Sequence, residues 1–350
     1  MTSSRLVEAF IINYNGKNTV LSTIESLYKS EDVKVSISVI DDHSTDGSPE
    51  LIRSHYPEIP VHILPINTKR ANILRNKALG MAGANFVFIT DNYLKYDTRC
   101  IAEMQNLMER DEKIASCTPR FMYWNQPDKI YIAGTRVHYI GAAISDMRDK
   151  IYEANKYEPS VNSGSGICLV RREVALKIGG FDTNLMQGWG SDGEFYQRLL
   201  RAGYKCFYVP KAFALHEDKL VVTERKFRVI GATYNRWVFI LTHYSFVLIL
   251  LLIPPFILYE IFQIAFVLMK RILSQYLKGN FLVLKNLPSI WQKRKFVQNL
   301  KVVSDKEVLF AGNIYVAPAL VENKKFIKMI LTVFSSVLNI YWRIIKKIIP

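Results

Sequence analysis

Val35-Ser-Ile-Ser-Val-Ile40, running into Asp41-Asp-His-Ser-Thr-Asp-Gly47, is the stretch that decides the fold. The first part reads as a strand and the acidic part as the loop at its carboxyl end. Ser48 and Pro49 then read as the N-cap and first residue of a helix carrying Leu51 and Ile52. The same unit precedes it: Val7-Glu-Ala-Phe-Ile-Ile12 ends in Asn13-Tyr-Asn-Gly16, followed by an amphipathic stretch with Val20, Leu21, Ile24, Leu27 and Tyr28. A third copy is Asn85-Phe-Val-Phe-Ile-Thr90, which ends in Asp91 and Asn92. Apolar strands alternating with helices predict an α/β fold whose sheet is mostly parallel and covered on both faces. Ligands of such sheets bind beyond the carboxyl ends of the strands. Asn13, Asp41, Asp42 and Asp91 all fall there.

The usual nucleotide loops are missing. Gly164-Ser-Gly166 lacks the third glycine of a dinucleotide fingerprint and precedes a strand, and no Gly-rich loop ends in Lys-Ser or Lys-Thr. A nicotinamide or P-loop site is thereby excluded. Carboxylates at strand ends hydrogen-bond a base or ribose and hold a hard divalent cation against a diphosphate. That chemistry points to a nucleotide-diphosphate ligand.

Further along, Gly190-Ser-Asp-Gly-Glu194 leads into a helix with Phe195, Leu199 and Leu200 on one face, Arg198 and Arg201 expected to turn outward, and Gly203 as its left-handed stop. Asp192 and Glu194 are either an acidic cap on the positive helix end or a base held at the mouth of a site. The apolar strand Cys206-Phe-Tyr-Val-Pro210 follows.

Taken in order, Phe10 to Gly16, Val39 to Ser48, Arg75-Asn-Lys-Ala78, Phe86 to Asn92, Gly179-Gly-Phe-Asp182 and Ser191 to Arg198 resemble the family 2 glycosyltransferases, inverting enzymes of the GT-A fold. The resemblance covers about residues 5 to 220 and implies a Rossmann-like sheet flanked by helices. It implies that Asp41 and Asp42 contact the base and ribose of a sugar donor, that Asn13 and Tyr14 surround the same nucleotide, and that Arg75 and Asn76 close over ribose and diphosphate. Asp91 corresponds to the first acid of the family's metal-binding D-x-D motif, for manganese or magnesium. Tyr93 stands where the second acid is expected, so the motif is incomplete; Asn92 is the alternative oxygen ligand, and His216 falls where relatives place a histidine near the ion. Asp192 falls on the catalytic base that deprotonates the acceptor hydroxyl. Ser191 replaces the usual glutamate beside it. Trp189, Glu194, Gly180 and Asp182 are expected on the acceptor and sugar side.

Charge divides the chain. Residues 1–219 hold 27 Lys plus Arg against 26 Asp plus Glu, and residues 220–350 hold 19 against 5. Those basic residues border apolar runs, which argues against nucleic acid and for anionic lipid. Between Arg236 and Lys270 lie 33 residues with Glu260 as the one charge, interrupted by Pro254 and Pro255. A straight helix of that length is about 50 Å long, more than one crossing needs, and each half is short for a span. Basic flanks on both sides place both ends on the cytoplasmic face. The segment 236–270 is therefore expected to form a bent re-entrant or interfacial hairpin with the prolines deepest; a single tilted span is the alternative. Residues 324–349 are expected to form an interfacial amphipathic helix with Ile330, Leu331, Phe334, Leu338, Tyr341 and Ile345 on its lipid face.

The division expected is a catalytic domain over residues 1–220 and a membrane-binding helical region over 221–350. No signal peptide is read at the start, and Cys100, Cys117, Cys168 and Cys206 read as reduced thiols. The combination predicts transfer of one sugar to a hydroxyl of a lipid-linked glycan at the cytoplasmic membrane face, by a protein held there peripherally or through one segment. The departures at Tyr93 and Ser191 leave a second reading open, a non-catalytic sugar-nucleotide-binding or scaffold subunit.

Overall fold

The computed structural model describes residues 6–144, 147–153, 160–161, 164–186, 190–217, 225–314 and 325–349, with 160–161, 225–227 and 325–328 described by backbone alone. The chain forms two compact units. The first comprises residues 1–134, 147–184 and 204–220, and the second 135–146, 185–203 and 221–350. The helix carrying Asp192 thus belongs to the second unit although it precedes residue 220.

In the first unit the chain runs β1 (Leu6–Asn13), α1 (Val20–Tyr28), β2 (Lys34–Asp41), α2 (Ser48–His55), β3 (Val61–Ile63), α3 (Ala71–Met81) and β4 (Phe86–Asp91). It continues through β5 (Leu94–Tyr96), α4 (Cys100–Glu109), β6 (Ile114–Tyr123) and β7 (Gln126–Ile132). After β8 (Arg136–Val137) and β9 (Ala143–Ile144) of the second unit, it returns as β10 (Ser160–Val161), β11 (Cys168–Arg171) and α5 (Arg172–Lys177), and later as β12 (Lys205–His216). The sheet order is β10-β12-β6-β11-β4-β1-β2-β3. Strands β4, β1, β2 and β3 are mutually parallel, as are β6 and β12. The reversed strand β11 lies between these groups. The sheet is mixed at its centre and parallel where the first three loops emerge.

Register does the positioning. Asn13 pairs with Asp41 at the ends of β1 and β2, and Ile12 pairs with Asp91 at the end of β4. Three polar loops therefore start at one level. Beneath them Val7, Ala9 and Ile11 of β1, Val39 of β2 and Phe88 of β4 pack on Val20, Ile24 and Leu27 of α1, all fully buried. Each Val, Ile, Leu or Phe among them contributes about 1.5–3 kcal/mol. All four cysteines are free and buried.

The second unit is helical. It holds α6 (Gly193–Arg201), α7 (Arg225–His243), α8 (Phe246–Leu251), α9 (Ile253–Met269), α10 (Leu273–Lys285), α11 (Leu287–Leu300), α12 (Asp305–Val308) and α13 (Lys325–Ile345). Helix α7 is the spine: its Tyr234 and Val238 pack with Val283 of α10, Ile290 of α11 and Leu185. The 33-residue apolar segment is broken twice. Helix α7 ends at His243, Ser245 caps α8 by accepting from the Leu248 N–H at 3.2 Å, and Pro254 and Pro255 sit in the first turn of α9. A missing N–H costs nothing there. Among the described residues no helix is long and apolar enough to cross a membrane.

Two orientations differ from the sequence reading. Arg198 and Arg201, expected to face outward, are buried at 3% and 0% exposure because each meets an acid inside the second unit. In α13, Phe334, Leu338 and Ile345, expected on a lipid face, are buried within this unit, and Val333, Val337, Ile340 and Ile344 are exposed instead.

Candidate functional site

The loops after β1 and β2 are tied by side chains. Asn13 is fully buried, and its amide nitrogen donates to Asp41 Oδ2 at 2.6 Å and Ser48 Oγ at 2.9 Å. Asp41, also fully buried, accepts from the backbone N–H and the hydroxyl of Ser44, both at 2.7 Å. Helix α2 begins at Ser48 with Gly47 as its left-handed cap, so the Ser48 hydroxyl serves this network. Asp42 faces the next loop, where its carboxylate accepts from the backbone N–H groups of Thr68 at 2.8 Å and Lys69 at 3.1 Å. Asn15, His43 and Lys69 have left-handed backbones in these loops. Such conformations are rare for residues other than glycine and gather at functional sites. Tyr14 stands half exposed beside them.

Asn92 closes the group from β4 by donating to Asn13 Oδ1 at 2.5 Å. Gly16 is required by that contact, because a Cβ there would lie 2.1 Å from Asn92 Nδ2 and 2.3 Å from Asn13 Oδ1.

Helix α3 brings Arg75 and Asn76 to the same end of the first unit. Arg75 is buried, donates to Asn72 Oδ1 at 2.9 Å and lies 3.8 Å from Asp91 Oδ1. Its guanidinium lies against Gly166, where a Cβ would come within 2.4 Å. Asn76 grips the Phe181 backbone from both sides, accepting its N–H at 2.7 Å and donating to its C=O at 2.8 Å. Asn72 holds the Asp182 carbonyl at 2.9 Å. The Gly179-Gly180 turn, with φ of +86° and +64°, is thus fastened to α3, and Asp182 caps it by accepting from the Asn184 N–H at 2.9 Å.

Asp91 ends β4 with one oxygen taken. Tyr93, in the place of the second acid, donates to Asp91 Oδ2 at 2.7 Å. Burial and that carboxylate hold the phenol well above its ordinary pKa. Strand β12 pairs antiparallel with β5, His216 opposite Leu94, which brings the His216 ring against Tyr93 edge-on at 5.0 Å and stacked on Tyr131 at 4.1 Å. Burial, with Arg148 nearby, lowers the His216 pKa to about 4, so the imidazole is neutral at pH 7. Its buried Nδ1 has no hydrogen-bond partner. A neutral imidazole and a carboxylate are ligand types for a divalent ion. They fit as a partial donor set, for no group of three or more His, Cys, Asp or Glu side chains that could hold a metal comes together among the described residues.

In the second unit, Asp192 is the N-cap of α6, accepting from the Gly193 N–H at 3.0 Å, and it is partly exposed. Glu194 does not reach a surface. Its carboxylate is 1% exposed, accepts two bonds from Arg198 at 2.7 and 2.9 Å, and lies 2.9 Å from Lys293 Nζ and 3.5 Å from His243 Nε2. Burial pushes its pKa up, but Arg198 and Lys293 outweigh it and hold the acid well below its ordinary value. Glu194 is an anchor for α6 and not an acceptor contact. Trp189 lies outside the described residues.

Residues 9–179 match the family model described as glycosyl transferase family 2. This segment is a family 2 glycosyltransferase domain. Residues 148–221 also match a model described as the N-terminal domain of galactosyltransferase. Among solved structures, the chain resembles GalNAc-T7 with UDP, GalNAc and Mn2+, with a TM-score of 0.57 and 16% identity over 70% of this chain and 49% of that one. The chain thus spans about half the length of that structure. TarS residues 1–349 from S. aureus, in complex with UDP, matches with a TM-score of 0.42 and 14% identity over 65% of this chain and 64% of that one. No curated protein matches the sequence. The fold shared with GalNAc-T7 is the GT-A arrangement that the resemblance to family 2 glycosyltransferases implied.

Several residues of the glycosyltransferase domain escaped the sequence reading. Ser44 and Ser48 complete the Asn13 network, and Thr68 and Lys69 receive Asp42. The polar cluster in Asp41 to Ser48 was the available signal for the first pair. Nothing local signals that Tyr131 will stack on His216.

Proposed function

We propose that this chain transfers one sugar, with inversion, from a nucleotide-diphosphate sugar to a hydroxyl of a lipid-linked glycan at the cytoplasmic face of the membrane. The observation that carries the reading is the network joining Asn13, Asp41 and Asn92 across three strand ends of a family 2 domain, with Asp42 beside it bracing the next loop. The nucleoside is held at those loops, with Tyr14 and the 66–70 segment around it and Arg75 toward the diphosphate. GalNAc-T7, solved with UDP, makes uridine diphosphate sugars the first donors to test.

In the step itself the acceptor oxygen attacks the anomeric carbon while the bond from that carbon to the diphosphate oxygen breaks. The nucleoside diphosphate leaves with the bonding electrons, and the acceptor proton passes to the Asp192 carboxylate. A manganese or magnesium ion, when bound, supplies charge neutralisation at the leaving diphosphate, and Asp91 and His216 are the residues that would hold it. The basic, apolar second unit supports an acceptor presented at a lipid surface.

The test is transfer from a panel of nucleotide sugars to detergent-solubilised polyprenyl-phosphate-linked glycan and to soluble glycans, followed by mass shift of the acceptor. Asp192→Asn should lower kcat by about 10²–10⁴-fold with nucleotide binding intact. Undiminished turnover in that variant would remove the base assignment and favour a binding subunit. Transfer to soluble acceptors alone would remove the lipid part.

A further inference from the structure

The second unit exposes far more apolar surface than a soluble helical body needs. Among the described residues, 24 of the 31 large apolar side chains that are exposed lie between Phe246 and Ile348. They follow helical spacing. On α9 the row is Ile253, Ile257, Ile261, Ile264 and Leu268, between 41% and 60% exposed. On α13 it is Val333, Val337, Ile340 and Ile344, with Ile348 exposed in the turn that follows. Helices α10 and α11 add Leu277, Phe281, Leu284 and Trp291. Patches of this extent mark a surface that another body covers.

The rows belong to helices that pack on one another. Phe262 of α9 stacks on Phe334 of α13 at 4.9 Å, and Tyr276 of α10 bonds Glu260 of α9. Phe246 of α8 lies 5.9 Å from Trp291 of α11, and the Tyr341 hydroxyl of α13 donates to the Leu251 carbonyl at 2.5 Å. The end of α7, residues 236–243, which sequence places at the start of the inserted hairpin, is instead largely buried.

Charge selects the occupant. Lys278, Lys285, Lys295 and Arg343 are exposed on the same helices, and Lys270, Arg271 and Lys346 just past their ends. Glu260 is paired with Arg236 and Asp305 is buried against Arg201, which leaves Glu307 as the exposed acid among the described residues of 225–349. A second copy would bring like charges together around the apolar rows. An anionic bilayer satisfies both the rows and the cations.

We propose that α8, α9, α10, α11 and α13 form one bilayer-docking face that seats this unit in the headgroup region of anionic lipid without crossing it. This rests on the membrane part of the reading above and adds which surface meets the lipid. It needs neither donor nor acceptor.

The experiment is flotation of the full chain with vesicles of phosphatidylcholine alone and with added phosphatidylglycerol, at low and high salt. Binding to the anionic vesicles is expected, weakened by salt. Ile257→Ser/Ile261→Ser/Ile264→Ser should lower partitioning by about tenfold or more with nucleotide binding unchanged, because each exposed side chain contributes apolar burial. Should that variant fold poorly, Val337→Ser/Ile344→Ser tests α13, and brominated lipid should quench a tryptophan signal that Trp291→Phe removes. No binding to anionic vesicles, binding indifferent to both variants, or a solution dimer that the variants dissolve would overturn the proposal. Asp192→Asn should still float, so loss of transfer and loss of docking are read separately.

Discussion

Replacing Glu194 with Gln should destabilise the second unit by an amount that its surroundings set. The carboxylate is 1% exposed and is the acid between the Arg198 guanidinium and the Lys293 ammonium, whose side chains are 3% and 14% exposed. An amide of the same shape keeps the packing but leaves two poorly solvated cations facing a neutral group. Breaking a buried pair by removing one partner costs about 3–5 kcal/mol. Spread over a unit of 150–250 residues, each kcal/mol lowers Tm by about 2–4 °C, so the transition should fall by roughly 6–20 °C. Differential scanning calorimetry of the full chain, with tryptophan fluorescence to follow the helical unit, measures it. Adding Lys293→Met should recover part of the loss, because one stranded cation is then gone. Since Glu194 lies two residues beyond Asp192 on α6, the variant should also lower kcat more than it raises KM. A Tm shift below about 2 °C would refute the reasoning, for it would mean that water reaches the cluster.

Gly16→Ala places a carbon inside the Asn13 to Asn92 contact, and overpacking of this kind costs about 1–3 kcal/mol; calorimetric titration should show nucleotide affinity down about tenfold, and an unchanged Kd would separate that contact from the nucleotide loop. Tyr93→Phe frees Asp91 Oδ2 of one hydrogen bond, worth about 0.5–1.5 kcal/mol; nucleotide binding titrated with manganese should tighten by about two- to tenfold, and no change would mean that Asp91 does not hold the ion. His216 and His138 stay neutral in the folded chain, burial holding their pKa values at about 4 and about 3, whereas unfolded histidine takes a proton below about 6.5. Stability from these groups is therefore full above pH 6.5 and falls as pH drops toward 4, by about 1.4 kcal/mol per pH unit for each. The Asp305 carboxyl, held at about 2 chiefly by Arg201 against the opposing effect of burial, loses its contribution only between about pH 4 and 2. Thermal melts should show acid destabilisation starting near pH 6.5 and a shallower slope in His216→Phe; an identical profile would contradict the assignment.

The half of the sheet that carries the loops after β1, β2 and β4 was legible because its signals are local. Apolar runs end in Asn, Asp and Gly within a few residues, and Gly203 stops α6 with φ of +84° as its type predicts. Strands β6 and β7 were not legible. The first nine residues of β6 are buried, yet they include Pro119 and Arg120, and β7 opens with Gln126, Pro127, Asp128 and Lys129. Arg120 is tolerated because its guanidinium donates to the Pro210 carbonyl at 2.5 Å and stacks 3.3 Å over Tyr152, partners that no window of sequence contains. The same holds for Arg201, whose acid, Asp305, lies 104 residues away. Helix α13 misled for another reason: it is apolar on two faces, and periodicity finds a stripe without saying which stripe is packed.

The buried polar groups at the strand ends also change what the acidic pair does. Asp41 is fully enclosed, and its oxygens meet Asn13 and Ser44; Asp42 is 6% exposed, and its oxygens meet the Thr68 and Lys69 backbone. A carboxylate that accepts from backbone N–H groups fixes a loop at a definite height. Each aspartate therefore shapes a different wall: Asp41 the 41–48 loop, and Asp42 the segment that leads into α3. The positive φ values at His43 and Lys69 are sustained by these bonds, since strain of about 1–3 kcal/mol persists only where the surroundings over-determine it. Asp41→Asn and Asp42→Asn should accordingly differ. The first loosens the Asn13 network and lowers Tm together with nucleotide affinity. The second releases the 68–69 turn, and affinity should fall with little change in Tm. Equal effects on both measurements would mean that the pair acts as one charge at the ligand and not as two separate braces.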